Sequence, residues 1–313
     1  MGGGTRGKRH RYAGGASTGP SLDAYITDER PDARASYEVN VNSYFQDLLS
    51  DFNNRKVDEI NTHLQTIKDA LTKENIGSIN LAYGGSIKKH TYIDGLSDVD
   101  VLATIDNTAL VDASARQVLE YFAGKLRERL PNTEIKIGNL AVTVKFSDGH
   151  EIQVLPAVST ATGVRISSSN GTEWSGVIRP DKFANKLTSV NQSNSNKVVP
   201  VIKLYKAINS ALPEDAQLSG YHIESLAINA FSNYQGSSNH KDMLLHFVEY
   251  SSTAVLSPIK DNTGQSVHVD DYLGDSGSSK RTRVSTVLQT TAVQMKKADS
   301  EASLERWRKL IEG

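Results

Sequence analysis

Apolar positions first recur at helical spacing. Val41, Tyr44, Phe45, Leu48, Leu49 and Phe52 mark one stripe, and Ile60, Leu64, Ile67 and Leu71 repeat it after a polar break, which predicts two amphipathic helices. The period then changes. Ile79–Tyr83 is a short apolar run ended by Gly84 and Gly85, and Val99–Ile105 has the length and composition of a buried strand. A third helical stripe, Val118, Phe122, Leu126 and Leu130, leads into two strand-like runs, Glu134–Gly138 and Leu140–Phe146. In the second run Val142, Val144 and Phe146 alternate with Ala141, Thr143 and Lys145. The pair Asp148 and Gly149 then predicts a tight hairpin into a strand over Glu151–Leu155. Residues 163–196 are rich in Ser and Asn with scattered apolar anchors, which predicts an irregular connector. Beyond them the pattern is helical throughout, at Val201–Leu212, Ile223–Tyr234, Met243–Val248, around Val284, Leu288 and Met295, and at Leu304–Ile311. The layout is α+β: a mixed sheet flanked by helices over residues 36–170, then an α-helical C-terminal lobe over 171–313, with a cleft between them.

Composition narrows the classes. The chain has 313 residues, 38% of them hydrophobic with 23 glycines besides, which is enough for a substantial core. Residues 1–35 are the exception, rich in Gly, Ser, Arg and Asp without any apolar period, and they predict a flexible basic tail. No stretch approaches the roughly 20 apolar residues of a membrane span, and no apolar segment follows the basic N-terminus, so the expectation is a cytoplasmic protein with no membrane partner. The absence of Cys removes thiolate chemistry and disulfides. A net charge of −1 gives no global case for nucleic acid as a partner, so a phosphate-binding surface has to be local. The tail cluster Arg6, Lys8, Arg9 and Arg11 has either an anionic partner or only solvent. His90, His150, His222, His240, His246 and His268 show no zinc-site spacing.

The chemistry is concentrated between residues 84 and 100. The side-chain period of a strand sets Asp98 and Asp100 on one face, and paired carboxylate oxygens suit Mg²⁺, which shares its coordination with water and substrate phosphates. Gly84, Gly85 and Ser86 form a turn in which backbone N–H groups and a hydroxyl approach phosphate closely, with Lys88 and Lys89 adding positive charge.

Gly85 and Ser86, followed after about a dozen residues by Asp98 and Asp100, resemble the signature of the DNA polymerase β-like nucleotidyltransferases. The segment Glu151–Ala157 is similar to the third active-site strand of the 2′-5′-oligoadenylate synthetases and of the bacterial cyclic-oligonucleotide synthases related to cGAS and DncV. Val201–Lys206 resembles their helix carrying a triphosphate-binding Lys, and Ser219–Glu224 the segment whose Tyr stacks on a base. In order and spacing the resemblance covers about residues 36–300. It implies a polymerase β-like catalytic lobe in which Gly85, Ser86 and Lys89 hold phosphates, and Asp98 and Asp100 ligate Mg²⁺, or Mn²⁺ in its place. It also implies that Lys203 holds the donor triphosphate, and that Tyr221 and Tyr272 contact nucleobases.

The sequence departs from the family at Gln153, where relatives carry an Asp. A neutral amide brings no charge to the ion that activates the attacking hydroxyl. Two readings stay open: Glu151, two residues earlier on the same face, supplies the carboxylate, or the site is weakened. The implied function is metal-dependent joining of nucleoside triphosphates into a cyclic or short oligonucleotide second messenger, in bacterial antiphage defence, with a downstream effector as partner. The alternatives are synthesis of a linear oligonucleotide, nucleotidylation of RNA or protein, an NTP-binding regulator with little turnover, and a nucleic-acid-binding scaffold that uses the tail.

Overall fold

The computed structural model describes residues 31–53, 57–72, 78–93, 99–106, 110, 112–168, 170–263 and 269–312. Two helices open it, α1 (Pro31–Asn53) and α2 (Val57–Thr72). They lead into β1 (Ser78–Tyr83), the single turn α3 (Gly85–Lys88), β2 (Val99–Asp106) and α4 (Ala115–Arg129). A capping box starts α4: Ser114 Oγ accepts the Gln117 N–H at 3.3 Å while Gln117 Oε1 accepts the Ser114 N–H at 2.9 Å. Next come β3 (Glu134–Ile137), β4 (Val142–Lys145), β5 (Glu151–Thr160) and β6 (Gly163–Ile166). All belong to one six-stranded sheet.

In that sheet β2 and β5 lie side by side and parallel, with Asp100 opposite Gln153. β1 is antiparallel to β2, and the outer edge of β5 pairs first with β4 and then with β6. Strand alternation divides the two faces. Val99, Val101, Ala103, Ile105, Ile152 and Val154 are buried in a core with Ile67 and Leu71 of α2 and Phe122 and Leu126 of α4. Asp100, Leu102 and Leu155 point the other way and line a cavity.

The helical lobe consists of α5 (Pro180–Ser193), α6 (Val198–Ala211), α7 (Gly220–Phe231), α8 (His240–Ala254), α9 (Ser279–Ser300) and α10 (Leu304–Glu312). It has its own core, which Phe45 of α1 enters edge-on to Trp307 at 5.5 Å. Two expectations change here. Residues 163–196 are not irregular throughout, since they hold β6 and α5; the polar composition hides an apolar stripe of Phe183, Leu187 and Val190 behind a Pro at the first helical position. The first helix begins at Pro31, inside the stretch expected to be tail, and its buried face (Tyr37, Val41, Tyr44, Phe45, Leu49) packs with the helical lobe rather than with the sheet that follows it. Residues 1–30, including the basic cluster, lie outside the described residues. Among the described residues no helix is long and apolar enough to cross a membrane.

Candidate active site

The site is built on the turn after β1. Gly84 donates its N–H to the Asp100 carbonyl at 2.9 Å, which pins the turn to β2. Gly85 follows at φ +45°, and a Cβ there would lie 1.6 Å from Asp100 Oδ2. Both the left-handed backbone and the space taken by the carboxylate therefore require glycine. Ser86 is buried, and its Oγ has no hydrogen-bond partner. A buried orphan hydroxyl costs stability unless a ligand satisfies it. The Ser86 carbonyl accepts the Thr91 N–H at 2.9 Å, closing the loop.

Thr91 joins this loop to the helical lobe. Its hydroxyl donates to Glu224 of α7, and Lys206 of α6 donates to the Thr91 carbonyl at 3.0 Å and lies 3.2 Å from Glu224 Oε1. Lys89 pairs with the other Glu224 oxygen. Glu224 is only 1% exposed; burial raises its carboxyl, but Lys89 and Lys206 outweigh that and hold it below the usual carboxylate range. Burial pushes the Lys206 ammonium down, and Glu224 opposes the shift. Lys88 pairs with Asp181 at the start of α5.

Between the lobes lies a cavity of about 1060 Å³, with Gly85, Ser86 and Asp100 on one wall and Lys206, Tyr221 and Glu224 on the other. Tyr221 is half-exposed, donates its hydroxyl to Asp261 Oδ1 at 2.5 Å and lies 4.6 Å from the Phe183 ring. The Lys89 Nζ sits 5.2 Å from the Phe183 ring and 5.3 Å from the Tyr221 ring. This wall combines an aromatic face with cations, the pairing that suits a nucleobase and its phosphates.

Several sequence-derived candidates fall in different places. Gly85, Ser86, Lys89, Asp100 and Tyr221 meet at the cavity. Asp98 lies outside the described residues. Gln153 is beside Asp100 across the β2–β5 pairing, and Glu151 lies two residues further along the same face, in register with Lys145 of β4. Lys203 does not line the cavity: it is buried and donates to Asn53 Oδ1 at 2.5 Å, because the end of α1 covers that side of α6. Its place at the cavity is taken by Lys206. Tyr272 also sits elsewhere, in a 3-10 turn behind the start of α7, where its hydroxyl accepts the Ser219 N–H at 3.2 Å and lies 2.9 Å from His222 Nδ1. Sequence reasoning gave no role to Phe183, Lys206 or Glu224. The signal for the last two was a buried-type charge on each of two apolar helices.

Of Asp100, Gln153 and Glu151 only Asp100 lines the cavity. Gln153 sits next to it across the β2–β5 pairing and Glu151 two residues along the same face, and together they would offer two carboxylates and an amide oxygen, a donor set that suits Mg²⁺.

A strand-borne carboxylate interlocked with a Gly-Ser turn, on a mixed sheet facing a helical lobe, is the arrangement that the resemblance to the polymerase β-like nucleotidyltransferases implies. Residues 39–191 match the family model described as Second Messenger Oligonucleotide or Dinucleotide Synthetase domain. Solved structures share the fold. That of the E. coli MS115-1 CdnC:HORMA-deltaN complex aligns with a TM-score of 0.64 at 17% identity, over 82% of this chain and 92% of that one. That of the Bradyrhizobium diazoefficiens CD-NTase CdnG in complex with GTP has a TM-score of 0.65 at 13% identity, over 82% and 88%. That of the Vibrio cholerae DncV cyclic AMP-GMP synthase with a linear intermediate has a TM-score of 0.60 at 11% identity, over 75% and 67%. A comparison with curated proteins finds no match.

Proposed function

We propose that the protein joins nucleoside triphosphates into a cyclic or short oligonucleotide second messenger, releasing pyrophosphate, and that it acts in the bacterial cytoplasm in antiphage defence through a separate effector. The observation that carries this reading is the interlock of Gly85 with Asp100 beside the unpartnered Ser86 hydroxyl, on the floor of a cavity with a cationic and aromatic opposite wall. Ser86 Oγ and the backbone of the turn bind the β- and γ-phosphates of the donor. Lys89 from the loop after the turn and Lys206 from the helical lobe hold the same triphosphate, and Tyr221 with Phe183 orients a base. Asp98, Asp100 and Glu151 or Gln153 hold Mg²⁺, or Mn²⁺ in its place. Held there, such an ion would supply charge neutralisation of the triphosphate and a lowered pKa for the attacking ribose hydroxyl. That hydroxyl oxygen forms a bond to the α-phosphorus as the bond to the β-phosphate oxygen breaks. The residues contribute chiefly alignment and charge neutralisation.

Mass spectrometry of products from all eight NTPs and dNTPs, in Mg²⁺ and in Mn²⁺, tests the reading against an Asp98→Ala/Asp100→Ala control. A phosphodiester product absent from the control is expected, and its mass separates cyclic from linear. One second reading rests on a specific observation, the neutral Gln153 opposite Asp100: an NTP-binding regulator with little turnover. Saturable NTP binding with no product under any condition selects it.

A further inference from the structure

Away from the cavity, at the turn where β4 becomes β5, the fold gathers two imidazoles and two carboxylates. His63 and Glu59 stand one helical turn apart on α2, and Asp148 and His150 flank Gly149 in the hairpin. His63 Nε2 lies 2.7 Å from Asp148 Oδ2, and His150 Nδ1 lies 3.1 Å from the same oxygen and 3.8 Å from Glu59 Oε2. One ligand atom from each of His63, Asp148 and His150 falls within 4.8 Å of the others, the one such group of three among the described residues.

Three features make this more than a surface ion pair. The ligand atoms are oriented from behind: Asp148 Oδ1 accepts the His150 backbone N–H at 3.1 Å, leaving Oδ2 toward the imidazoles, and the His63 ring stacks on Phe146 at 3.8 Å. Gly149, at φ +95°, folds the hairpin so that Asp148 and His150 converge. The His150 side chain is 10% exposed, yet its Nδ1 has no hydrogen-bond partner, since the 3.1 Å approach to Asp148 lacks the alignment of one. A buried, unpartnered imidazole nitrogen beside carboxylates is a position that a cation would satisfy once the nitrogen is deprotonated.

We propose that His63, Asp148 and His150 form a three-residue structural site for a borderline transition-metal ion of the Zn²⁺ class, separate from the active site, with water completing the shell. Imidazole nitrogen favours such ions over Mg²⁺. A tetrahedral ion at the usual Zn–N and Zn–O lengths has donor–donor edges of about 3.3 Å, and two edges of this group stand at 2.7 and 3.1 Å, with all three donor atoms within 4.8 Å of one another. The ion takes the place of the proton shared by His63 and Asp148, which leaves on binding. It ties α2 to the turn that begins β5, the strand carrying Glu151 and Gln153.

The test uses the full chain in the Asp98→Ala/Asp100→Ala background, stripped with EDTA and titrated with Zn²⁺. One saturable equivalent is expected, weakened at least tenfold by His63→Ala and by His150→Ala. No saturable binding, or binding unchanged in both folded histidine variants, overturns the proposal. A second readout does not depend on those variants: the zinc K-edge absorption spectrum of the loaded protein should contain two imidazole ligands, and an all-oxygen shell overturns the site.

Discussion

A methyl group at position 85 has no space, because Asp100 Oδ2 already occupies it. Gly85→Ala must therefore push the Asp100 carboxylate off its position or unwind a turn held at φ +45°. A displacement of an ångström at a reacting centre costs about a hundredfold in rate. Pyrophosphate release by Gly85→Ala is expected to fall at least that far, and the melting temperature should fall as well, because the turn is pinned to β2 and Ser86 beside it is buried. Two lysines on α6 separate in the same way. Lys206 reaches the cavity and Lys203 does not. Lys206→Met removes a charge-assisted hydrogen bond worth about 1.5–3 kcal/mol, so NTP affinity, measured by calorimetry, should drop roughly ten- to a hundredfold. Lys203→Met should leave it within about twofold and lower the melting temperature instead. The contrast also marks what could be read in the sequence. Gly85, Ser86 and Asp100 were legible because their proximity is fixed by a short stretch of chain and one strand pairing. Lys206 was not, because α6 is apolar on nearly every side. An amphipathic stripe can fix the rotation of a surface helix, but not of one buried all round.

At the level of elements, the parallel pairing of β2 with β5 decides how many charges face the cavity. Parallel partners project to the same face, so Asp100 and Gln153 are neighbours by register. Gln153→Asp would set a second carboxylate beside Asp100. Two unit charges about 4 Å apart interact by roughly 4 kcal/mol near a protein surface, which repels in EDTA and attracts a divalent ion when one is present. The variant should melt lower than the parent in EDTA and recover in Mg²⁺. The Mg²⁺ concentration for half-maximal pyrophosphate release should fall at least tenfold. An unchanged requirement would mean that Glu151, already on that face, supplies the charge. The strands themselves were legible from alternation and from the turn at Asp148 and Gly149, since period and turn chemistry are local. The elements that were missed depend on distant partners. α5 is a polar helix whose few apolar residues acquire meaning only against α7, and α1 docks on helices that follow it by more than a hundred residues, as in the Arg34 bonds to Asp299.

For the molecule as a whole, Glu224 is where the two lobes are joined electrostatically. Lys89 belongs to the loop that leaves the Gly-Ser turn and Lys206 to the helical lobe, and they share one buried carboxylate, which leaves a net positive charge facing the cavity. Removing one partner of a buried ion pair costs about 3–5 kcal/mol, because the remaining charges stay buried without compensation. Glu224→Gln should therefore lower the melting temperature well beyond the effect of a surface substitution. If the cavity holds a triphosphate as proposed, its charge compensates the same two lysines. ATP should then raise the melting temperature more in Glu224→Gln than in the parent. The pH dependence follows from the same contacts. Burial lowers the Lys206 pKa and Glu224 raises it. Triphosphate binding uses the ammonium form, so affinity should decline as pH rises through that lowered pKa, earlier than for an exposed lysine. Without Glu224 the opposing influence is gone, and the decline should begin nearer neutrality. Calorimetric ATP titrations of parent and Glu224→Gln across the alkaline range measure this directly. Parallel curves would show that Lys206 carries no part of the triphosphate, whereas a curve displaced to lower pH in the variant assigns the cation to the substrate and Glu224 to tuning it.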